Sequence, residues 1–290
     1  MEKVTVVFWD VQHGNAVYIK TPNNRHIVID LGMGAYRDNN LEFSPLLHLK
    51  NKWNINQLDY VIITHPHLDH IDDILNFEKL SPKVLRKSQV PKEIVENLLR
   101  EAKDEDKPKF EKYLVIIENY KRPVSPENDP SNPENYGGIV IKNFDTSECS
   151  PSNINNYSIV TVLSFAGKKI VFTGDNESCS LNKLFEKADF REAVRNADIL
   201  LAPHHGRKSG FHSDFVDLVN PRLTVISDGR FCDSSASSRY SKKSRGMVVK
   251  RRSDGKREKR YCVTTRTDGV IVVNFGYDEI GNRFMEVTID

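Results

Sequence analysis

His65-Pro66-His67-Leu68-Asp69-His70 follows directly on Tyr60-Val61-Ile62-Ile63-Thr64. The leading stretch is short, apolar and rich in β-branched residues, which reads as a buried strand. The stretch after it brings three imidazoles and one carboxylate within six residues, where regular strand gives way to irregular backbone. Along a strand, successive side chains alternate between faces. A turn at its end lets them converge on one point. His and Asp are ready ligands for first-row divalent metals. The pair of stretches therefore predicts a metal site at the carboxyl end of a strand.

Other strand ends carry matching groups. Ile27-Val28-Ile29-Asp30-Leu31-Gly32 ends an apolar run in a carboxylate. Lys169-Ile170-Val171-Phe172-Thr173-Gly174-Asp175 does the same, with a glycine that lets the chain turn closely. Ile199-Leu200-Leu201-Ala202-Pro203-His204-His205-Gly206 ends a run in two imidazoles. An Asp after a strand alone reads as a turn or helix cap. Three such ends beside the histidine cluster read as one site.

Short apolar runs recur at 4–9, 16–19, 26–30, 60–64, 114–117, 138–141, 159–165, 169–173, 198–202, 223–227 and 270–275. Helical spacing falls between them, at 44–52, 71–79, 91–103, 181–187, 190–196 and 213–219. Mixed strands and helices of this kind predict an α/β fold with two packed sheets and helices outside. The chain reads as one domain over 1–290. Residues 104–136 are charged and then proline-rich, which predicts an insertion loop at the rim.

Hydrophobic residues make up 38% and charged residues 28%, the balance of a soluble globular chain. No run approaches the roughly 18 apolar residues of a membrane span. The amino terminus enters a strand at once and shows no signal-peptide pattern. Cys149, Cys179, Cys232 and Cys262 are widely spaced with no C-x-x-C pair, so no disulfide framework and a reducing, cytoplasmic setting are expected. Net charge is only +2, but Arg239 to Arg260 is a local basic stretch. Ser253-Asp254-Gly255-Lys256 marks a turn within it, so it reads as a β-hairpin with a basic tip that includes Lys250, Arg251 and Arg252. His26 and His48 read as structural or exposed, and His212 as part of a surface loop.

The H-x-H-x-D-H spacing resembles the signature of the metallo-β-lactamase superfamily, and that resemblance implies an αββα sandwich. Phe8-Trp9-Asp10-Val11-Gln12-His13-Gly14-Asn15-Ala16 is similar to the opening strand of the metallo-β-lactamase domain of the ComEC family, the DNA-uptake competence proteins. Asn156-Tyr157-Ser158-Ile159-Val160 resembles its N-x-S-L-V strand, Phe172-Thr173-Gly174-Asp175 its F-T-G-D, and Pro203-His204-His205-Gly206 its P-H-H-G. Thr265-Arg266-Thr267-Asp268-Gly269-Val270-Ile271 resembles its closing strand. These pieces run in order over roughly residues 4–275 without a counterpart of the membrane channel, so the likeness is to the soluble ComEC-like hydrolases.

The resemblance implies two divalent ions. His65 and His67 would hold one, and Asp69 and His70 the other, with Asp175 bridging. His204 or His205 would complete the second, and its neighbour would face the substrate or support the ligands from behind. Asp30 would orient a ligand imidazole. Asp69, His204 and His205 are the expected catalytic side chains. The chain also departs from the family. No histidine lies between His70 and His204, and Asn156 stands about where the missing ligand would be. The oxygen-rich donor set admits Mn²⁺ as well as Zn²⁺. Asp72 and Asp73 replace a Gly-Gly pair and suit a helix amino terminus, but add negative charge near the site. His13 and Asn15 replace a Gln and an Asp.

The implied chemistry is attack on a phosphodiester by hydroxide held between two cations, with no Ser or Cys nucleophile. Arg207 and Lys208 directly follow the histidine pair; they read either as a phosphate clamp or as a solvated loop. Basic residues of the hairpin would meet backbone phosphates without reading sequence. The leading expectation is a nuclease acting on DNA or RNA, in bacterial defence or DNA processing, without a membrane association. A small-phosphoester hydrolase resembling phosphorylcholine esterases is the alternative. A third reading is a non-enzymatic, metal-bound component of a larger complex, with the 104–136 insertion serving a protein partner.

Overall fold

A computed structural model describes residues 2–34, 42–229 and 234–290. Two sheets face each other. The larger has nine strands, in the order Arg257–Arg260, Met247–Arg251, Arg283–Ile289, Ile271–Tyr277, Glu2–Phe8, Val17–Lys20, His26–Ile29, Tyr60–Ile63 and Val84–Lys87. The smaller has six, in the order Cys262–Thr264, Leu223–Ile226, Ile199–Leu201, Lys168–Phe172, Val160–Phe165 and Val140–Phe144.

Alternation along these strands makes three apolar layers. Val4, Val6, Phe8 and Ile62 point inward and meet Leu163, Ile170, Phe172 and Leu201 of the other sheet. Val7, Val28, Val61 and Ile63 point outward, under Leu46, Leu49, Phe77 and Tyr113. On the opposite side Val162, Val171 and Leu200 lie under Leu181, Phe190, Phe215 and Tyr240. Burying each such side chain contributes roughly 1.5–3 kcal/mol. Helices therefore cover both outer faces, which is the expected αββα sandwich. Among the described residues no helix is long and apolar enough to cross a membrane.

Strand direction positions the site. Lys168–Phe172, Ile199–Leu201, Leu223–Ile226 and Cys262–Thr264 are parallel neighbours. In the larger sheet His26–Ile29 and Tyr60–Ile63 are parallel. Ligands in such sheets collect at the carboxyl ends of strands. Asp30, the 65–70 stretch, Asp175 and the 204–205 pair all follow those ends.

Several expectations are corrected. Residues 114–117 are not a strand but part of helix Lys107–Asn119. Phe110, Tyr113, Ile116 and Ile117 are its buried positions, a helical spacing that a short apolar run conceals. The 104–136 region is accordingly not a loop throughout, because that helix packs into the outer apolar layer. Strands Val84–Lys87 and Arg283–Ile289 carried too little apolar signal to be read. Cys149 and Cys179 form a disulfide, so the reading of the cysteines as reduced fails at that pair. Cys262 is free, and Cys232 lies outside the described residues.

Asp72 and Asp73 do not charge the site. Asp72 pairs with Lys109. Asp73 turns under helix Pro45–Trp53, where it accepts from Leu46 N at 2.9 Å and from Ser44 Oγ at 2.7 Å. Burial pushes its carboxyl up to about 6. The folded chain then keeps this proton to a higher pH than the unfolded chain. The associated stabilisation is full below about pH 4 and is lost as pH rises through about 6. Carboxyl carbon NMR should show an Asp73 midpoint near 6. A midpoint near 4 would mean that its hydrogen bonds outweigh burial.

Candidate metal centre

The site is built where four strands stop. Asp30, His204 and His205 have φ of 59°, 48° and 51°. This left-handed backbone costs a non-glycine residue of order 1–3 kcal/mol, and such residues cluster at functional sites. Gly174 has φ 53°, and a Cβ there would come within 2.9 Å of Ser158 Cβ and 3.0 Å of Thr64 Cβ. Both neighbours hold the site together, so only glycine fits between them.

Two donor sets result. One nitrogen or oxygen each from Asp69, His70, Asp175 and His205 lies within 4.8 Å of the others. His65, His67 and Asp175 form a second set by the same measure. Asp175 belongs to both. Its Oδ1 is 3.2 Å from His70 Nε2, while its Oδ2 is 3.3 Å from His205 Nε2 and 3.8 Å from His65 Nε2. Asp69 Oδ2 is 3.2 Å from His205 Nε2.

The far sides of the rings are already engaged. His70 Nδ1 donates to Asp30 Oδ2 at 2.8 Å. Asp30 also accepts from Thr64 N, Thr64 Oγ1 and Asn15 Nδ2, at 2.7, 2.8 and 2.9 Å. His205 Nδ1 donates to Ser227 O at 2.9 Å. His65 Nδ1 lies 3.2 Å from Ser158 Oγ, which also accepts from Asp175 N. The opposite ring nitrogens face one another, 3.0 Å apart for His65 and His67 and 3.3 Å for His70 and His205. Such a cluster is repulsive unless a proton or a cation lies between its members.

The electrostatics agree. Burial and the neighbouring His70 hold His65 well below the usual imidazole range. Burial also opposes charge on His205, but Asp175 and Asp69 outweigh it and raise the ring to about 10. His70 is raised by the same two carboxylates and Asp30 against its burial. Protons thus collect where divalent cations would displace them. The donor set fits divalent metal ions: imidazole with carboxylate, buried, with the outer nitrogens held.

His204 stands outside both sets. Its Nδ1 is 2.9 Å from Glu177 Oε1 and 2.8 Å from Ser209 Oγ, with Nε2 3.9 Å from Asp175 Oδ2. Asn156 belongs to neither donor set. Its Oδ1 accepts from Ser180 N, Ser180 Oγ and Glu177 N, holding the start of helix Ser178–Glu186. Arg207 reaches the mouth, where Nη2 donates to His13 Nε2 at 3.0 Å. Lys208 is exposed and bonds through its backbone to Ser234.

Lys250, Arg251 and Arg252 are not brought to the cluster. The strand Met247–Arg251 runs in the same direction as Tyr60–Ile63, so its tip rises from the same rim of the sheet. Six strand spacings separate the two. At ~4.8 Å each, that is about 29 Å. Arg251 pairs with Asp254 and Arg252 with Asp290.

Sequence reading missed several contributors, the Ser227 carbonyl and Ser209 among them. His13 lies 3.5 Å from Asp69 Oδ2, with its ring 4.6 Å from that of His205. Its signal was its place in the opening motif. Ser158 and Thr64 sat inside quoted motifs without a role. Glu177 had no signal, because its partner is remote in sequence.

An αββα sandwich that gathers buried imidazoles and carboxylates at its strand ends is the framework of a metal-dependent hydrolase. The chain belongs to the metallo-beta-lactamase superfamily, whose family model matches residues 9–227. It is 26% identical over 249 residues to ComE operon protein 3 of Bacillus subtilis (strain 168), covering 76% of this chain and 28% of that protein. That similarity supports the ComEC-like resemblance. A 52-residue stretch is 42% identical to transcription termination factor FttA of Methanosarcina mazei, covering 18% of this chain and 8% of that one. The chain thus spans less than a third of either relative. The crystal structure of the metallo-beta-lactamase fold protein YhfI from Bacillus subtilis aligns with a TM-score of 0.44 at 12% identity, over 80% of this chain and 88% of that one.

Asp30→Asn should lower metal affinity or turnover by about 10- to 100-fold, because an amide cannot accept all four donors that orient His70. Titration of the metal-free protein with Mn²⁺ checks this. Unchanged affinity and turnover would mean that the ring is held by packing alone.

Proposed function

We propose that the chain is a cytoplasmic phosphodiesterase that holds two divalent cations, Zn²⁺ or Mn²⁺, and cleaves DNA or RNA. The observation that carries this reading is the sharing of Asp175 between two donor sets. Bound there, the cations would polarise phosphoryl oxygens and lower the pKa of a water. His65 and His67 would hold one ion. Asp69, His70 and His205 would hold the other, with Asp175 common to both. Asp30, Ser158 and the Ser227 carbonyl fix the rings from behind. His204, steadied by Glu177 and Ser209, is free at Nε2 to carry a proton to the leaving oxygen. Arg207 and His13 stand at the mouth as partners for a phosphate oxygen.

A polymer is favoured over a small ester by the basic hairpin on the same rim. A span of about 29 Å corresponds to about eight nucleotide steps at ~3.4 Å. A contrary observation supports the second reading, a small phosphoester. Several basic groups there, Arg251, Arg252 and Arg257 among them, are already in ion pairs.

The test is degradation of labelled single- and double-stranded DNA and RNA with Mn²⁺, Zn²⁺ or Mg²⁺, against the Asp69→Ala/His70→Ala variant. Metal-dependent cleavage lost in the variant is expected. Absence of cleavage with every metal, in protein carrying two ions per chain by elemental analysis, would remove the nuclease reading. Hydrolysis of a small phosphodiester by that same protein would then favour the second.

A further inference from the structure

Cys149 and Cys179 are 30 residues apart in sequence, and their disulfide brings the Cα atoms to 6.1 Å. The bridge ties the segment after strand Val140–Phe144 to the first turn of helix Ser178–Glu186. Between and beside its two ends lies a set of bonds with one common object, Glu177. Asn153 Nδ2 donates to Glu177 Oε2 at 2.8 Å, and Asn155 Nδ2 to Oε1 at 3.3 Å. Asn156 Oδ1 accepts from Glu177 N at 3.3 Å. The carboxylate so held is the group 2.9 Å from His204 Nδ1. The segment 149–156 and the turn 177–180 thus form a clamp whose fixed point is the Glu177 side chain.

The two cysteines differ in exposure. Cys149 is buried, while Cys179 is exposed. A bridge with one open end is attackable by a reductant. Disulfides of cytosolic proteins, where they occur, are commonly transient and redox-sensing.

We infer that Glu177 is a positioning residue for His204, and that the Cys149–Cys179 bridge makes this positioning sensitive to a dithiol reductant. The inference rests on the proposed role of His204. A thiolate of the dithiol attacks Cys179 Sγ, the S–S bond breaks, and Cys149 leaves as a thiolate. The second thiol of the reductant then displaces Cys179 and closes the reductant's own disulfide. Two electrons pass to the protein, and both cysteines take up protons. Without the covalent tie the 149–156 segment holds Glu177 through side-chain amides alone, and of the two groups at His204 Nδ1 only Ser209 stays fixed.

The experiment compares the whole protein, loaded with Mn²⁺, before and after treatment with a dithiol that is removed by anaerobic gel filtration before the readings. Thiol titration, hydrogen exchange by mass spectrometry, metal content and turnover of a dinucleoside monophosphate, an ester whose alkoxide leaving group needs a proton, are read together. Reduction should expose two further thiols and speed exchange over 145–156 and 176–186. It should lower kcat by about 10-fold, the scale of losing an outer partner, with KM and metal content unchanged. Glu177→Ala should match reduced wild type, and Glu177→Gln should recover part of the loss. Cys149→Ser/Cys179→Ser should show the low kcat and no response to reductant. Two new thiols with exchange and kcat unaltered would overturn the inference, as would the absence of new thiols. If no form turns over the ester, the proposed activity on such esters fails. Exchange then decides the clamp by itself: faster exchange upholds it and unchanged exchange removes it.

Discussion

If the proposed function holds, Asp175→Ala should lower turnover by about 10³-fold or more and halve the metal content or worse. Asp175 is the carboxylate common to both donor sets, 3% exposed, with one oxygen turned toward His70 and the other toward His205 and His65. Removing it opens both sets at once, whereas loss of His67 would open one. Charge stabilisation by bound cations is worth several kcal/mol, and about 4 kcal/mol corresponds to about 10³-fold. The backbone should survive, because Asp175 N still donates to Ser158 Oγ, 3.0 Å away in the parent. Elemental analysis, turnover and circular dichroism on one preparation check the three parts. A variant that keeps two ions and full activity would end the shared-carboxylate reading.

Phe172→Ala should unfold the chain earlier, although its side chain belongs to neither donor set. Phe172 lies in the layer between the sheets, 1% exposed, with its ring 5.9 Å from that of Phe8 across the sandwich. Truncating a buried Phe leaves a cavity that the two facing sheets cannot close, at a cost of about 3–5 kcal/mol. For a chain of this size the midpoint should fall by roughly 10 °C. Phe172 also precedes Thr173-Gly174-Asp175, so the same cavity loosens the strand end that aims Asp175. Calorimetry gives the stability change. A shift under about 1 kcal/mol would show that the layer collapses around the gap.

The two predictions fall on the last residue of one strand and on the turn just past it, and the two positions differ in how legible they were. Phe172 is one of several apolar residues in a run, and its inward face follows from alternation. Asp175 stood at a strand end, where its chemistry was visible but its partners were not. The residues that converge on it come from positions 65 to 205, and only the packing of two sheets brings them within 4 Å. Helix Lys107–Asn119 shows the opposite failure. Its apolar residues Leu114, Val115, Ile116 and Ile117 are adjacent in sequence, and strand and helix fit such a run equally well until a surface is present to bury one face.

By itself the sequence determined the α/β sandwich, the cluster at 65–70, and the three other strand ends that bear Asp30, Asp175 and the 204–205 pair. It could do so because strand periodicity and ligand chemistry are local properties. Tertiary structure alone decided which of the two adjacent histidines joins a donor set. His205 turns inward because its Nδ1 finds the Ser227 carbonyl, while His204 turns to Glu177. It also decided that the basic hairpin stands across the sheet from the site, and that Cys149 and Cys179 meet. Those outcomes depend on strand order and on contacts between remote segments, which no pattern along the chain encodes.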